Sequence, residues 1–525
     1  MHLSRLYHTL RYLKPQQWLY RGWYRLKQRL YHPPAQVTIP VSQATAWGQK
    51  KFYGLEPGSC FNYSDNAFNF LNIKHIFKQG IDWDLGNYGK LWAYNLNYFN
   101  WLADEDIPTA TRLETIQDYL KPGERKNGSE PYPTSLRGIN WIKFLAGNNI
   151  YNEPILQRLY RDYDRLSAFP EYHIQANHLL ENACSLFFAA HFFNDKDFYE
   201  LSATLLTRQL REQVLPDGGH YELSPMYHSI ILQRVLECYE LTLLSERFRN
   251  EELQAQLRDT AAKMMGWLMW FAHKDGSYAL MSDAAPGIAL APQALKAYAD
   301  HLGITPKPKL WKESPYKIYH GRNYQLVMRA GDIMPSYQPG HAHADSLHFT
   351  LFAHDKAVIV DTGISTYDKN ERRMYERSTE AHNTVCVNGQ NSSDVWDGFR
   401  VGKRAQVTIR RQEPNKLIAA HDGYAHLGIT HQRTFANTED SIIITDHLEG
   451  YKGQEAYAYI HFHPGCVVAQ TGPTSFAADS IKINIDGSAG VGLVNYLYCS
   501  GFNKTEPALR LRIHVEEHAV VSIHL

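Results

Sequence analysis

Thr305-Pro306-Lys307-Pro308-Lys309 separates two stretches of sequence with different periodicities. Proline removes a backbone donor and disfavours helix in the residue before it, so a helical pattern cannot run through this segment. Before it, from about residue 90 to 303, apolar residues recur at helical spacing, as in Leu91-Trp92, Leu96, Phe99 and Leu102, and in Leu179-Leu180, Ala183, Leu186-Phe187 and Ala190. After it come alternation and short β-branched runs at Tyr324–Arg329, Leu347–Leu351, Ala357–Val360, Ser441–Thr445 and Ile481–Ile485. The chain therefore reads as a helical domain over 1–305, a linker over 306–320 and an antiparallel β domain over 321–525.

Lys121-Pro122-Gly123, Asn148-Asn149 and Asp217-Gly218-Gly219 punctuate the helical half, which suits successive antiparallel helix pairs in an incomplete ring or layered array. Turn residues space the later strands as in a sandwich. A length of 525 residues with 44% hydrophobic content supports two cores.

Lys+Arg and Asp+Glu both number 54, so no global field recruits nucleic acid or membrane, and attraction for an acidic ligand must be local. The 34 Tyr and 11 Trp offer flat faces on which sugars stack, although helical cores use the same residues. Six scattered cysteines without a CxxC pair read as free thiols. The first thirty residues hold seven Lys or Arg and no acid, and Arg5, Arg11 and Lys14 interrupt the apolar run that a signal peptide needs. A cytoplasmic location is the default, with the periplasm as the alternative, and no later run reaches membrane-spanning length. This basic segment reads first as an amphipathic helix docked on its own domain and second as a membrane-surface anchor.

Chemistry-bearing residues concentrate in three places. Gly340-His341-Ala342-His343-Ala344-Asp345 leads into a strand, and extended geometry would project His341, His343 and Asp345 to one side. His343, Asp361 and His382, from three segments, have the donor types of a zinc site, or are hydrogen-bonded polar residues at strand ends. Asn177 and Glu181 are four apart at a helix start with His178 adjacent, and Asn177 is equally readable as an N-cap. In Asp217–His228, Ser224-Pro225 reads as an N-cap with proline in the first turn, which sets Tyr227 where the helix dipole favours an anion, including a tyrosinate.

NHLLEN at 177–182, DGGHYELSPMYH at 217–228, GHAHAD at 340–345, VIVDTG at 358–363 and YERSTEAHNTV at 375–385 occur in this order across both halves. Together they resemble the heparinase II/III-like family of polysaccharide lyases, over about residues 85 to 465. The resemblance implies an incomplete α/α toroid followed by an antiparallel multi-layered β-sandwich, with the active site in the cleft between. It implies that Asn177 neutralises a uronate carboxylate with His178 assisting, that Tyr227 and His341 are the catalytic pair, and that His343, Asp361 and His382 hold a structural zinc. No organic cofactor is implied. Glu181, Arg137 and Arg377 are candidates for substrate contact, the arginines because a guanidinium fork suits carboxylate or sulfate. Asn97 and Asn100 stand where relatives often carry His and Asp, which implies a changed subsite.

The expected activity is β-elimination on a uronate-containing anionic polysaccharide, which demands masked carboxylate charge, a base for the C5 proton and an acid for the leaving O4. A role in bacterial surface-polysaccharide production or turnover is a further expectation. The residues leave open which of Tyr227 and His341 is the base. A C5 uronyl epimerase would use the same proton abstraction without cleavage. A glycoside hydrolase would need Glu181 and Glu222 as its carboxylates, and a non-catalytic polysaccharide-binding protein would need none of the proton transfers.

Overall fold

The computed structural model describes residues 2–32, 52–53, 60–123, 125–307 and 314–525. Pro308 and Lys309 of the boundary segment, and residues 308–313 of the expected linker, lie outside the described residues.

Among the described residues the first half contains α1 (His2–Leu10), α2 (Pro15–Leu30), α3 (Lys90–Tyr98), α4 (Thr109–Tyr119), α5 (Pro131–Gly147), α6 (Glu153–Ala168), α7 (Ala176–Phe193), α8 (Lys196–Gln213), α9 (Pro225–Leu244), α10 (Glu251–Phe271) and α11 (Pro292–His301). An inner succession packs α3 on α5, α5 on α7, α7 on α9 and α9 on α11, while α6, α8 and α10 back it from outside. This is an incomplete α/α toroid. Helix α7 is buried on nearly every face, not on one stripe, because it has neighbours on both sides and behind. A small three-stranded sheet over residues 61–76, absent from the sequence reading, covers α3, with Phe70 edge-on to Trp92.

The second half is antiparallel throughout: an eight-stranded sheet and two four-stranded sheets enclose an apolar core that includes Leu326, Phe349, Phe435, Ile444 and Ile523. This is a multi-layered β-sandwich. Its first strand, Tyr316–His320, starts inside the segment read as linker. The short helix α12 (Glu371–Glu376) enters from this half and reaches the toroid.

The basic first helices dock on the chain itself. Tyr24 donates to the Pro170 carbonyl at 2.6 Å, and Arg5 pairs with Asp394 of the β half at 2.7 Å. No described helix is long and apolar enough to cross a membrane.

Candidate active site

The helical wall of the site is set by strained backbone. Gln175 and Ala176 have φ of 68° and 54°, a region that costs a non-glycine residue about 1–3 kcal/mol, and they aim the start of α7. Leu223 beside Glu222 and Ser282 beside Asp283 share this conformation, with φ of 57° and 55°. Gln175, not Asn177, is the N-cap of α7. The Asn177 amide nitrogen lies 2.9 and 3.0 Å from the two Glu222 oxygens, a contact that one bifurcated N–H can make. Its second N–H is then available. Glu222 also accepts from the Asn177 backbone N–H at 3.3 Å, where the helix dipole favours a carboxylate.

His178 is only partly buried, 3.0 Å through Nδ1 from Glu171 Oε1, with its ring 4.5 Å from that of Tyr132. Burial pushes its pKa down, but Glu171 overcomes this and raises it above the ordinary histidine value. A raised value means that the imidazolium persists below it and is lost as pH rises through it. We predict that KM for a uronate substrate rises across that window, and that His178→Ala flattens the profile. Identical profiles for the two proteins would remove His178 from substrate binding.

Ser224 accepts from the Tyr227 backbone N–H at 3.2 Å, and Pro225 opens α9, so the cap places Tyr227 in the first turn. The Tyr227 ring stacks on His341 with centroids 3.9 Å apart, and its hydroxyl lies 3.2 Å from that of Tyr367. Burial first, then Tyr367 and Tyr132, raises its pKa well above the ordinary value. The tyrosinate expected from the helix dipole is therefore not the resting form: the phenol keeps its proton.

Asp283, on the loop after α10, joins the two halves. It is wholly buried, lies 2.8 Å from His341 Nδ1 and 2.8 Å from His343 Nε2, and accepts two guanidinium bonds from Arg373 at 2.5 and 2.7 Å. Burial alone would raise its pKa, but Arg373 and the two histidine bonds hold it well below the usual carboxylate range. An ionised Asp283 accepts a hydrogen bond from His341 Nδ1–H, which leaves Nε2 as the lone-pair nitrogen when the ring is neutral. The strand expected at Leu347–Leu351 runs over Phe349–Ala353, and the extended geometry supposed for 341–345 does not bring the three side chains together: His341 and His343 converge through Asp283, while Asp345 turns to Arg329 at 3.5 Å.

A second buried cluster lies behind His343. His382 Nδ1 and His348 Nε2 approach Asp361 Oδ2 at 2.8 and 3.1 Å, and the His343 and His382 rings are 5.2 Å apart. The tightest potential metal-holding trio is His348, Asp361 and His382, not His343, Asp361 and His382. The hydrogen bonds distinguish the two histidines. His348 Nδ1 accepts from the Asn383 backbone N–H at 2.8 Å, so its neutral ring carries the proton on Nε2, which lies 3.1 Å from Asp361 Oδ2 without a hydrogen-bond partner. His343 donates a hydrogen bond from Nε2–H to Asp283, and its buried Nδ1 has no hydrogen-bond partner; His382 Nε2 is likewise unpartnered. Three orphaned imidazole nitrogens, on His343, His348 and His382, near a buried carboxylate suit a zinc ion.

Three expected substrate contacts lie elsewhere. Arg137 is buried, and its guanidinium bonds the Gly128 carbonyl at 2.7 Å and Asp162 at 2.8 Å. Arg377 is buried and spans the Ala342, Trp396 and Arg400 carbonyls. Glu181 is buried against Arg234 at 2.7 Å. Each is committed within the fold, so the structure does not bring it into the Tyr227–His341 group. Asn97 is also internal, bonding the Trp83 and Ala93 carbonyls, and Asn100 accepts from Asn140 at 2.9 Å. Asp283, Arg373 and Tyr367 escaped sequence reading because no local pattern marks them. Glu222 entered it only as a hydrolase carboxylate.

The fold, a toroid followed by a sandwich with a Tyr–His pair at their junction, defines the architectural class. The chain belongs to the heparinase II/III-like family: the heparinase II/III N-terminus model matches residues 135–309, and the heparinase II/III-like C-terminal model matches 304–523. It is similar to the heparin-sulfate lyase of Bacteroides stercoris, at 24% identity over 326 residues, covering 55% of this chain and 46% of the relative. The heparin-sulfate lyase of Pedobacter heparinus is 26% identical over 332 residues, covering 58% and 49%. The chain thus spans about half the length of the curated relatives it matches. In fold it resembles a crystal structure of heparinase III, with a TM-score of 0.65, 14% identity and coverage of 97% and 92%. The heparan sulfate lyase structure from Pedobacter heparinus gives 0.52, 16%, 97% and 88%.

Proposed function

We propose that the protein is a lyase that cleaves a uronate-containing anionic polysaccharide by β-elimination. The observation that carries this reading is the stacked Tyr227–His341 pair with Asp283 holding His341 Nδ1. In the proposed reaction His341 Nε2 removes the C5 proton. The C5–H electrons form the C4–C5 double bond, O4 departs with its bonding pair, and the Tyr227 phenol gives it a proton. The remaining Asn177 N–H and the His178 imidazolium bond the uronate carboxylate most strongly as charge grows there. The relatives named heparin-sulfate lyases support the reaction class and make heparan-type chains the first substrates to test.

Epimerisation is the disfavoured alternative, and C5 deuterium incorporation without chain shortening would identify it. The hydrolase reading lacks available carboxylates, since Glu181 is held by Arg234 and Glu222 by Asn177. Unsaturated products that vanish in Tyr227→Phe test the lyase; saturated products would overturn it.

In the proposed structural zinc site His343 Nδ1, Asp361 and His382 supply the ligands, and bound zinc supplies a cross-link behind the cleft. His348 positions Asp361. Gln at 348 can accept from Asn383 N–H and donate to Asp361, so His348→Gln is expected to retain zinc while His343→Ala loses it, by metal analysis of the purified proteins. The reverse pattern would make His348 the ligand.

A further inference from the structure

We propose that the outward face of α2 seats this protein on an anionic lipid bilayer. The helix meets the rest of the chain along one side. From there Tyr24 bonds the Pro170 carbonyl, Lys27 bonds the Ala168 carbonyl at 2.6 Å, and Gln17 bonds the Ile174 carbonyl at 3.3 Å. With about 3.6 residues per turn, a separate stripe runs along a different side at i, i+4, i+7 and i+11: Leu19, Trp23, Leu26 and Leu30. These are 67%, 47%, 51% and 65% exposed. A helix ordinarily buries residues so spaced, and here they face outward. Leu3, Leu6 and Tyr7 of α1 add further exposed apolar surface.

Charge selects the occupant. Arg29 and Arg25 are exposed to one side of the stripe, about 90° and 130° around the helix from it, and neither has a carboxylate partner among the described residues. A second copy docked symmetrically through this face would set the same arginines against one another. An anionic bilayer meets both needs: the acyl boundary takes Leu and Trp, and headgroup phosphates take the guanidinium groups. The helix would lie in the plane of the surface, being too short to span it. Because Pro170 precedes Glu171, the partner of His178, this seat would fix the cleft relative to the membrane. The inference stands whether or not the proposed reaction is correct.

The test is cosedimentation of the full chain with phosphatidylcholine vesicles and with vesicles of phosphatidylcholine and phosphatidylglycerol in equal parts. Binding to the anionic vesicles alone, weakened by salt, is expected. Leu19→Glu with Leu26→Glu should weaken it about tenfold or more, and Arg25→Glu with Arg29→Glu should do likewise. Thermal unfolding should be unchanged because these side chains are exposed; should the leucine variant unfold, the arginine variant decides. Failure of the native chain to sediment, or equal sedimentation of the folded variants, would overturn the proposal. So would a dimer in sedimentation velocity that Leu19→Glu with Leu26→Glu dissociates, without vesicle binding.

Discussion

Tyr227→Phe is expected to lower kcat by roughly a hundredfold to ten-thousandfold, the usual contribution of a positioned general acid. KM should change little. The phenylalanine ring keeps the stacking surface against His341 and removes only the hydroxyl that carries the proton. Raised by burial and by its neighbours, the pKa of this hydroxyl keeps the group a donor through neutral pH. Tyr367, 3.2 Å away, is the nearest hydroxyl that could partly substitute. Tyr227→Phe with Tyr367→Phe should therefore fall below Tyr227→Phe alone. Initial rates of unsaturated-product formation, with thermal unfolding as a folding control, measure both effects. An active Tyr227→Phe protein would remove the phenol from the mechanism.

Asp283→Asn is expected to cost both stability and turnover. Arg373 would lose its buried carboxylate, and breaking one partner of a buried pair typically costs about 3–5 kcal/mol. The amide also presents one acceptor oxygen where His341, His343 and Arg373 now share two. His341 would no longer be held with Nε2 as its lone-pair nitrogen, so kcat should fall roughly as far as in His341→Ala, which should unfold nearer to the native temperature. The folded pKa of Asp283 is depressed. Its stabilising contribution is therefore present above the unfolded value near pH ~4 and lost as pH falls through the folded value. Acid unfolding should lose that component in Asp283→Asn. Native-like thermal unfolding and turnover in this variant would show that Asp283 neither braces the junction nor orients His341.

The two-part architecture was legible because period carries it: helical spacing before Thr305, β-branched runs after Lys309. Tyr324–Arg329 could be bounded from its composition alone. The three-stranded sheet at 61–76 could not, because its strands are short and polar residues interrupt them. Within the site, the Ser224-Pro225 cap placed Tyr227 in the first turn of α9 through purely local rules. Arg137 and Arg377 show where such rules end. A guanidinium suits a substrate carboxylate and a ring of backbone carbonyls equally well, and only the fold reveals which it meets. Asp283 is the sharper case: its importance arises from residues 58 to 90 positions away that tertiary structure assembles around it.

The most direct test of the account is ultraviolet absorbance of unsaturated uronate products from heparan sulfate and a panel of other uronate polysaccharides, bacterial capsules included. The account predicts a rise on at least one substrate that disappears in both Tyr227→Phe and His341→Ala. Cleavage that yields only saturated ends, or an absorbance rise undiminished in either folded variant, would contradict it.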